Sequence, residues 1–219
     1  MFFVVLPLSH VHVETGRYTG AYATTMSREA LAEWHRPRFE LLCDRSPCDV
    51  LAFETIPCLS EVQAILDVLK TRPKAKAWIS MACSSGTQLT SGESVEECVQ
   101  QIEALDVTGQ VEGVGVNCTR SEYVNELCGV IRRGTDRTIV VYPNSGEDWD
   151  SVGKVWKRDS TSSGSDQTTN SGPEAISVCA AEWIKISGGK NIAIGGCCRI
   201  GPEHIKHLSD TFSCQPVTE

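Results

Sequence analysis

The sequence predicts an α/β protein in which helices cover a parallel sheet. Short apolar runs without polar alternation recur along the chain, and each is followed by a longer stretch with apolar residues at helical spacing. Strands buried on both faces lose the alternating pattern, and repeated strand–helix units bring their strands together in parallel. Capping signals open two of the helical stretches. A closed eight-fold barrel and a doubly wound sheet satisfy this pattern equally.

The units can be taken in order. Asp49 to Ile56 is an apolar run stopped by Pro57, and therefore a buried strand. Ser60 followed by Gln63 has capping-box form, and Val62, Ile65, Leu66 and Leu69 behind it share one helical face. Ala77 to Ala82 is the next strand. Ser94 with Glu97 is a second capping box, opening a helix with Val95, Cys98, Val99, Ile102 and Leu105 inward. Val111 to Cys118 is a strand and Ser121 to Arg133 a helix with Val124, Leu127, Cys128 and Ile131 on one face. Thr138 to Tyr142 is a strand ending at Pro143, Glu174 to Ile186 a helix, and Ile192 to Ile194 a strand. Pro202 then starts the last helix, since proline suits the first helical position. A helix from about Ser27 to Cys43 precedes these five units, with a strand expected at Phe2 to Leu6.

At 219 residues the chain reads as a single domain, residues 1–219, with a net charge of -8 that argues against nucleic-acid and anionic-membrane partners. No run approaches the roughly 20 apolar residues of a membrane span. The apolar start lacks the basic region of a secretion signal, and a cytoplasmic location is expected. Eleven cysteines in such a compartment are free thiols, and Cys43, Cys98, Cys128 and Cys179 read as small buried hydrophobes. Residues 158–171 form a low-complexity insert without a large apolar side chain. Such a segment does not repay its ordering entropy and is expected to be a mobile loop. His10 and His12 fall in an irregular start, and His204 and His207 are expected on the exposed face of the last helix.

The strongest chemical signal is three cysteines at strand ends. Cys118 closes one strand, and Cys197 and Cys198 follow another. In a parallel sheet all strands end on the same side, so residues distant in sequence meet there. Neighbours on a regular strand point to opposite faces. Gly195-Gly196 is expected to supply the backbone freedom that turns both thiols toward one ion. Three thiolates suit Zn2+ and leave a fourth position open, where an entering thiol loses its proton. From spacing alone, buried thiols or a vicinal disulfide remain the alternatives.

Gly115-Val116-Asn117-Cys118-Thr119 and Gly195-Gly196-Cys197-Cys198-Arg199 resemble the two zinc-binding motifs of the homocysteine S-methyltransferase family. Phe53-Glu54-Thr55-Ile56-Pro57, Tyr142-Pro143-Asn144-Ser145-Gly146-Glu147, Tyr18 to Tyr22, and His35-Arg36-Pro37-Arg38 resemble further segments of it, in the same order. The resemblance implies a (β/α)8 TIM-barrel fold and methylation of L-homocysteine to methionine, with S-methylmethionine or, less efficiently, S-adenosylmethionine as donor. It implies Cys118, Cys197 and Cys198 as zinc ligands, Glu54 as the carboxylate facing the substrate ammonium, and Asn117 and Asn144 as site-lining amides. A helix-dipole role for Glu54 is the structural alternative.

The resemblance covers the last five strand–helix units and part of a sixth, without the family's early Asp-Gly segment. An eight-stranded barrel does not close with these, and open sheet edges invite self-association. A catalytically silent zinc-binding fragment or regulatory isoform is therefore the alternative function. Ile200 and Gly201 also stand where the family usually has threonine or serine.

Overall fold

The computed structural model describes residues 2–5, 19–45, 50–145, 148–150, 155–157, 172–189 and 191–212. One sheet holds β1 (Phe2–Val5), β2 (Val50–Ile56), β3 (Ala77–Met81), β4 (Val111–Arg120), β5 (Thr138–Asn144) and the last strand, β8 (Ile192–Ile194). Between β5 and β8 lies a separate antiparallel pair, β6 (Asp148–Asp150) and β7 (Val155–Lys157). The helices are α1 (Arg28–Arg45), α2 (Leu59–Lys70), α3 (Val95–Leu105), α4 (Ser121–Gly134), α5 (Pro173–Ile186) and α6 (Pro202–Phe212). The five predicted strand–helix units and the preceding helix and strand are all present. The β6–β7 pair had no signal in the sequence. The insert at 158–171 and His10 and His12 lie outside the described residues.

Strand order decides between the two architectures. The six-stranded sheet runs β1-β2-β3-β4-β5-β8, and every pairing is parallel. A doubly wound sheet reverses direction at a switch point, and this order never does. With right-handed crossovers, a monotonic order puts all helices on one face, as in a barrel. Among the described residues the sheet is nevertheless open, because β1 and β8 each have a single neighbour.

One face of the strands packs on the helices. Leu51, Phe53 and Ile56, Ile79 and Met81, Val114 and Val116, and Ile139 and Val141 join a continuous core with Val62, Ile65, Leu69, Val99, Ile102, Leu127, Ile131 and Trp183. Ala52, Glu54, Trp78, Ser80, Val140 and Tyr142 alternate with the core residues along their strands and fall on the second face, which is concave in a barrel wall with its helices outside. Beneath the helices, Glu61 is fully buried, accepts from His35 Nε2 at 2.8 Å and is hydrogen-bonded by the Tyr22 hydroxyl. Arg38 stacks 3.4 Å from the Trp34 ring centroid. The upstream segments around Tyr22 and His35 thus tie α1 to α2.

Two local expectations are corrected. Ser94 caps α3, accepting from Glu97 N, but Ser60 lies inside α2 and caps nothing. The cap residue of α2 is Cys58, which makes no side-chain cap bond. Glu93, reaching from the loop before α3, accepts the Leu59 N–H at 2.8 Å and places its charge at the positive end of the helix. His204 is buried at 6% exposure rather than facing solvent, because it sits at the third position of α6 and its Nδ1 accepts from Gly201 N at 3.1 Å. This is the returning half of a capping box, made by a histidine. Among the described residues no helix is long and apolar enough to cross a membrane.

Glu93→Ala is expected to cost about 1 kcal/mol of stability, a typical value for losing a cap, and Ser60→Ala less than about 0.5 kcal/mol. Urea unfolding of the two variants separates the observed cap from the predicted one; equal losses would contradict it.

Candidate metal centre

The sulfurs of Cys118, Cys197 and Cys198 all lie within 4.8 Å of one another, half-buried at the strand ends. The nine described cysteines are free, so no disulfide joins Cys197 to Cys198. Two unusual pieces of backbone bring the three together. Cys118 adopts a left-handed conformation with φ of 49°, and the ladder between β4 and β5 shifts register between Asn117 and Arg120. Cys197 to Ile200 forms a turn closed by Ile200 N donating to Cys197 O at 3.1 Å. Its third residue, Arg199, has a φ of 68°, as a type II turn requires. Strand alternation has ended before this turn, so adjacent cysteines can face one point.

The role expected of Gly195-Gly196 is corrected here, since neither residue has a positive φ. Gly196 supplies space instead: a Cβ there would lie 2.0 Å from Ile200 Cγ2. Ile200 folds back over the glycine and packs against the core. The turn is anchored to β5 by Cys197 N on Pro143 O at 2.8 Å and by Ser145 N on Cys198 O at 3.1 Å.

Crowding sets the acid–base chemistry of the trio. Hydrogen bonds to Cys197 and Cys198, followed by burial, raise the Cys118 thiol far above the usual thiol range. Cys197 is stabilised as thiolate by Cys118 but opposed by Cys198 and by burial, and is pushed up to about 11. Three sulfurs this close shed their protons only when a cation compensates the charge. A tetrahedral zinc with Zn–S of about 2.3 Å needs sulfurs about 3.8 Å apart, which the cluster accommodates. The residues present therefore fit a thiolate-bound metal.

A polar cluster occupies the concave face. Burial raises the Glu54 carboxyl, and a hydrogen bond from Tyr142 offsets part of that rise. Trp78 Nε1 donates to the Tyr142 hydroxyl at 3.2 Å. Trp78 is on β3 and Tyr142 on β5, so this bond passes over β4. Gly113 of β4 lies beside this path, since a Cβ there would sit 3.1 Å from Trp78 Cβ; Gly115 instead allows the close approach of the β5 backbone, because its Cβ would sit 1.7 Å from Val140 O. The glycines in the strand were the available sign of this close approach.

The two asparagines differ. Asn117 is 1% exposed, and its amide is committed to Thr55. Asn144 is half-buried and lines a recess with Ser121, Cys179, Trp183 and Ile200 against α5. Its Oδ1 has no hydrogen-bond partner among the described residues. Thr55, Thr119, Trp78 and Tyr142 were not singled out from sequence as site residues. Their partners are distant in the chain and leave no local pattern.

A singly wound parallel sheet bearing three clustered thiols at its strand ends defines a barrel-type protein with a candidate metal site. The sequence profile described as Homocysteine S-methyltransferase matches residues 6–212, and the chain belongs to that family. It is 35% identical over 192 residues to homocysteine S-methyltransferase YbgG of Bacillus subtilis, covering 88% of this chain and 55% of that protein. It is 36% identical over 193 residues to homocysteine S-methyltransferase 1 of Arabidopsis thaliana, covering 88% and 54%. Among solved structures it resembles the metallated form of the homocysteine methyltransferase MmuM from Escherichia coli, with a TM-score of 0.73 and 28% identity over 95% of this chain and 59% of that one. The chain thus spans about half the length of the curated relatives it matches.

A carboxyl raised on folding holds its proton to higher pH in the folded than in the unfolded chain. Folding stability then falls as pH rises through the carboxylate range, and ionised Glu54 weakens the fold at neutral pH. Glu54→Gln is therefore expected to melt no lower than the parent at pH 7, with its relative stability declining as pH is lowered toward 4. Thermal melts across this range check the expectation; a clear loss at pH 7 would assign Glu54 a structural, helix-dipole role.

Proposed function

We propose that the chain transfers a methyl group to the sulfur of L-homocysteine, giving methionine, at a Zn2+ ion held by Cys118, Cys197 and Cys198. The donor is S-methylmethionine or, less efficiently, S-adenosylmethionine. The observation that carries this reading is the convergence of the three sulfurs, supported by membership of the family and by the likeness to a homocysteine methyltransferase solved in a metallated form.

Cys118, Cys197 and Cys198 would hold the metal, which when bound would lower the proton affinity of a substrate thiol. The residues of the chain bind and orient. The Glu54 carboxylate, held by Tyr142, faces the substrate ammonium and fixes the direction from which the sulfur enters. The Asn144 amide lines the approach, and Asn117 serves the site through Thr55. The methyl group moves from the donor sulfonium to the homocysteine sulfur, and the donor leaves as a neutral thioether. The thiol proton passes to solvent. No separate base is required, so rate depends on thiolate activation and in-line placement. Free thiols at all nine described cysteines suit a reducing compartment, and we place the protein in the cytoplasm.

The test pairs metal analysis with turnover. Purified protein is expected to carry one zinc per chain and to form methionine from homocysteine, faster with S-methylmethionine than with S-adenosylmethionine. Cys118→Ser is expected to lose both zinc and turnover. Unchanged zinc in that variant would overturn the ligand assignment, and zinc without methionine formation from either donor would favour the silent-fragment reading.

A further inference from the structure

Four described residues other than glycine have a positive φ, and three of them cluster at the strand ends: Thr55 at 63°, Cys118 at 49° and Arg199 at 68°. Thr55 is the most demanding, because a β-branched side chain resists this region and such a conformation costs on the order of 1–3 kcal/mol. Something must hold it. The Asn117 side chain does, from 62 residues away in sequence. Thr55 N donates to Asn117 Oδ1 at 2.7 Å, and Asn117 Nδ2 donates to Thr55 Oγ1 at 2.8 Å. A backbone N–H can only donate, so the orientation of this amide is fixed. Both its ends are used, and Asn117 and Thr55 are 1% and 2% exposed.

The contact joins strands that are not neighbours. β2 and β4 are separated by β3, and both break register at this level, β2 between Phe53 and Ile56 and β4 between Asn117 and Arg120. On the other side of Cys118, Thr119 is also 1% exposed. Its Oγ1 accepts from Cys83 N, just beyond β3, at 3.0 Å and donates to Asn117 O at 3.0 Å. Cys118 is therefore bracketed by two buried polar residues, one tied to the end of β2 and one to the end of β3. The residue that Asn117 grips stands immediately after Glu54.

We infer that Asn117 and Thr119 are positioning residues that fix the Cys118 thiol for metal binding, and that Asn117 links this thiol to Glu54 through the left-handed turn at Thr55. Neither residue touches substrate or metal in this assignment. Both act by holding the two turns at one separation, as outer residues do for metal ligands elsewhere. The inference rests on the metal reading above and adds to it a mechanical coupling between the Cys118 thiol and the Glu54 carboxylate.

Cobalt(II) serves as the probe, because its thiolate charge-transfer and d–d bands report coordination without any turnover. The 219-residue chain and its Asn117→Ala, Thr119→Val, Thr119→Ser and Thr55→Gly variants are titrated with Co2+, and the metal-free proteins are melted in parallel. Asn117→Ala and Thr119→Val are expected to weaken Co2+ binding about 10- to 100-fold. Thr119→Ser keeps the hydroxyl and is expected to retain parental affinity. Glycine adopts the left-handed turn freely, so Asn117→Ala combined with Thr55→Gly is expected to recover part of the lost affinity. Parental affinity in a folded Asn117→Ala variant would overturn the inference. So would a loss of affinity that tracks melting temperature alone and is not recovered by Thr55→Gly. If Asn117→Ala does not fold, the Thr119→Val and Thr119→Ser pair decides by the same criterion. Failure of the parent chain itself to bind Co2+ would instead contradict the metal reading.

Discussion

Like charges crowded into a few ångströms repel, and the three sulfurs of Cys118, Cys197 and Cys198 are held within that range. As thiols they keep their protons, and as thiolates they require a cation. The surrounding structure can be understood as what it takes to impose this proximity. Cys118 is itself left-handed, near the end of its strand, and Cys197 and Cys198 arrive on a turn whose third residue is also left-handed. Both conformations are unfavourable in isolation for side chains of this kind. They persist because buried hydrogen bonds over-determine them: Asn117 and Thr119 around the first, and Pro143 O and Ser145 N around the second.

The parallel sheet supplies the rest of the arrangement. Because strand order follows chain order, every strand delivers its last residues to the same rim, and the helices stay on one face. The opposite face is left for polar residues. There Trp78 is bonded to Tyr142 and Tyr142 to Glu54, and Gly113 of β4 leaves room beside Trp78. A side chain at Gly113 would press on Trp78 and Val140, and one at Gly115 would meet the Val140 backbone. The proposed division of labour follows: sulfur chemistry at the rim, amino-acid recognition on the concave face, and Asn117 between the two.

Much of the fold was legible in the sequence because its signals are local. Val62, Ile65, Leu66 and Leu69 mark a helix by spacing alone, and Ile192 to Ile194 marks a strand by its bounds. Periodicity did not choose between a barrel and a doubly wound sheet; strand order did. The cysteine trio was visible as residue type at strand ends, and family motifs gave it meaning. What escaped depends on partners far along the chain. Ser60 and Gln63 had the form of a cap, yet Glu93 makes it, because tertiary folding brings a better acceptor to the helix end. Gly196 was expected to bend and instead makes room for Ile200. His204 looked like a surface residue and proved to be a buried cap. The Thr55–Asn117 clamp has no local signature at all.

X-ray absorption at the zinc edge tests the central claim most directly. For the purified chain loaded with one equivalent of zinc, a three-cysteine site with an open position predicts three sulfur neighbours at about 2.3 Å and one lighter neighbour. Adding L-homocysteine should replace the lighter neighbour with a fourth sulfur at a similar distance. Four sulfurs before homocysteine is added, or an unchanged coordination shell after it, would contradict a metal centre built to take up a substrate thiol.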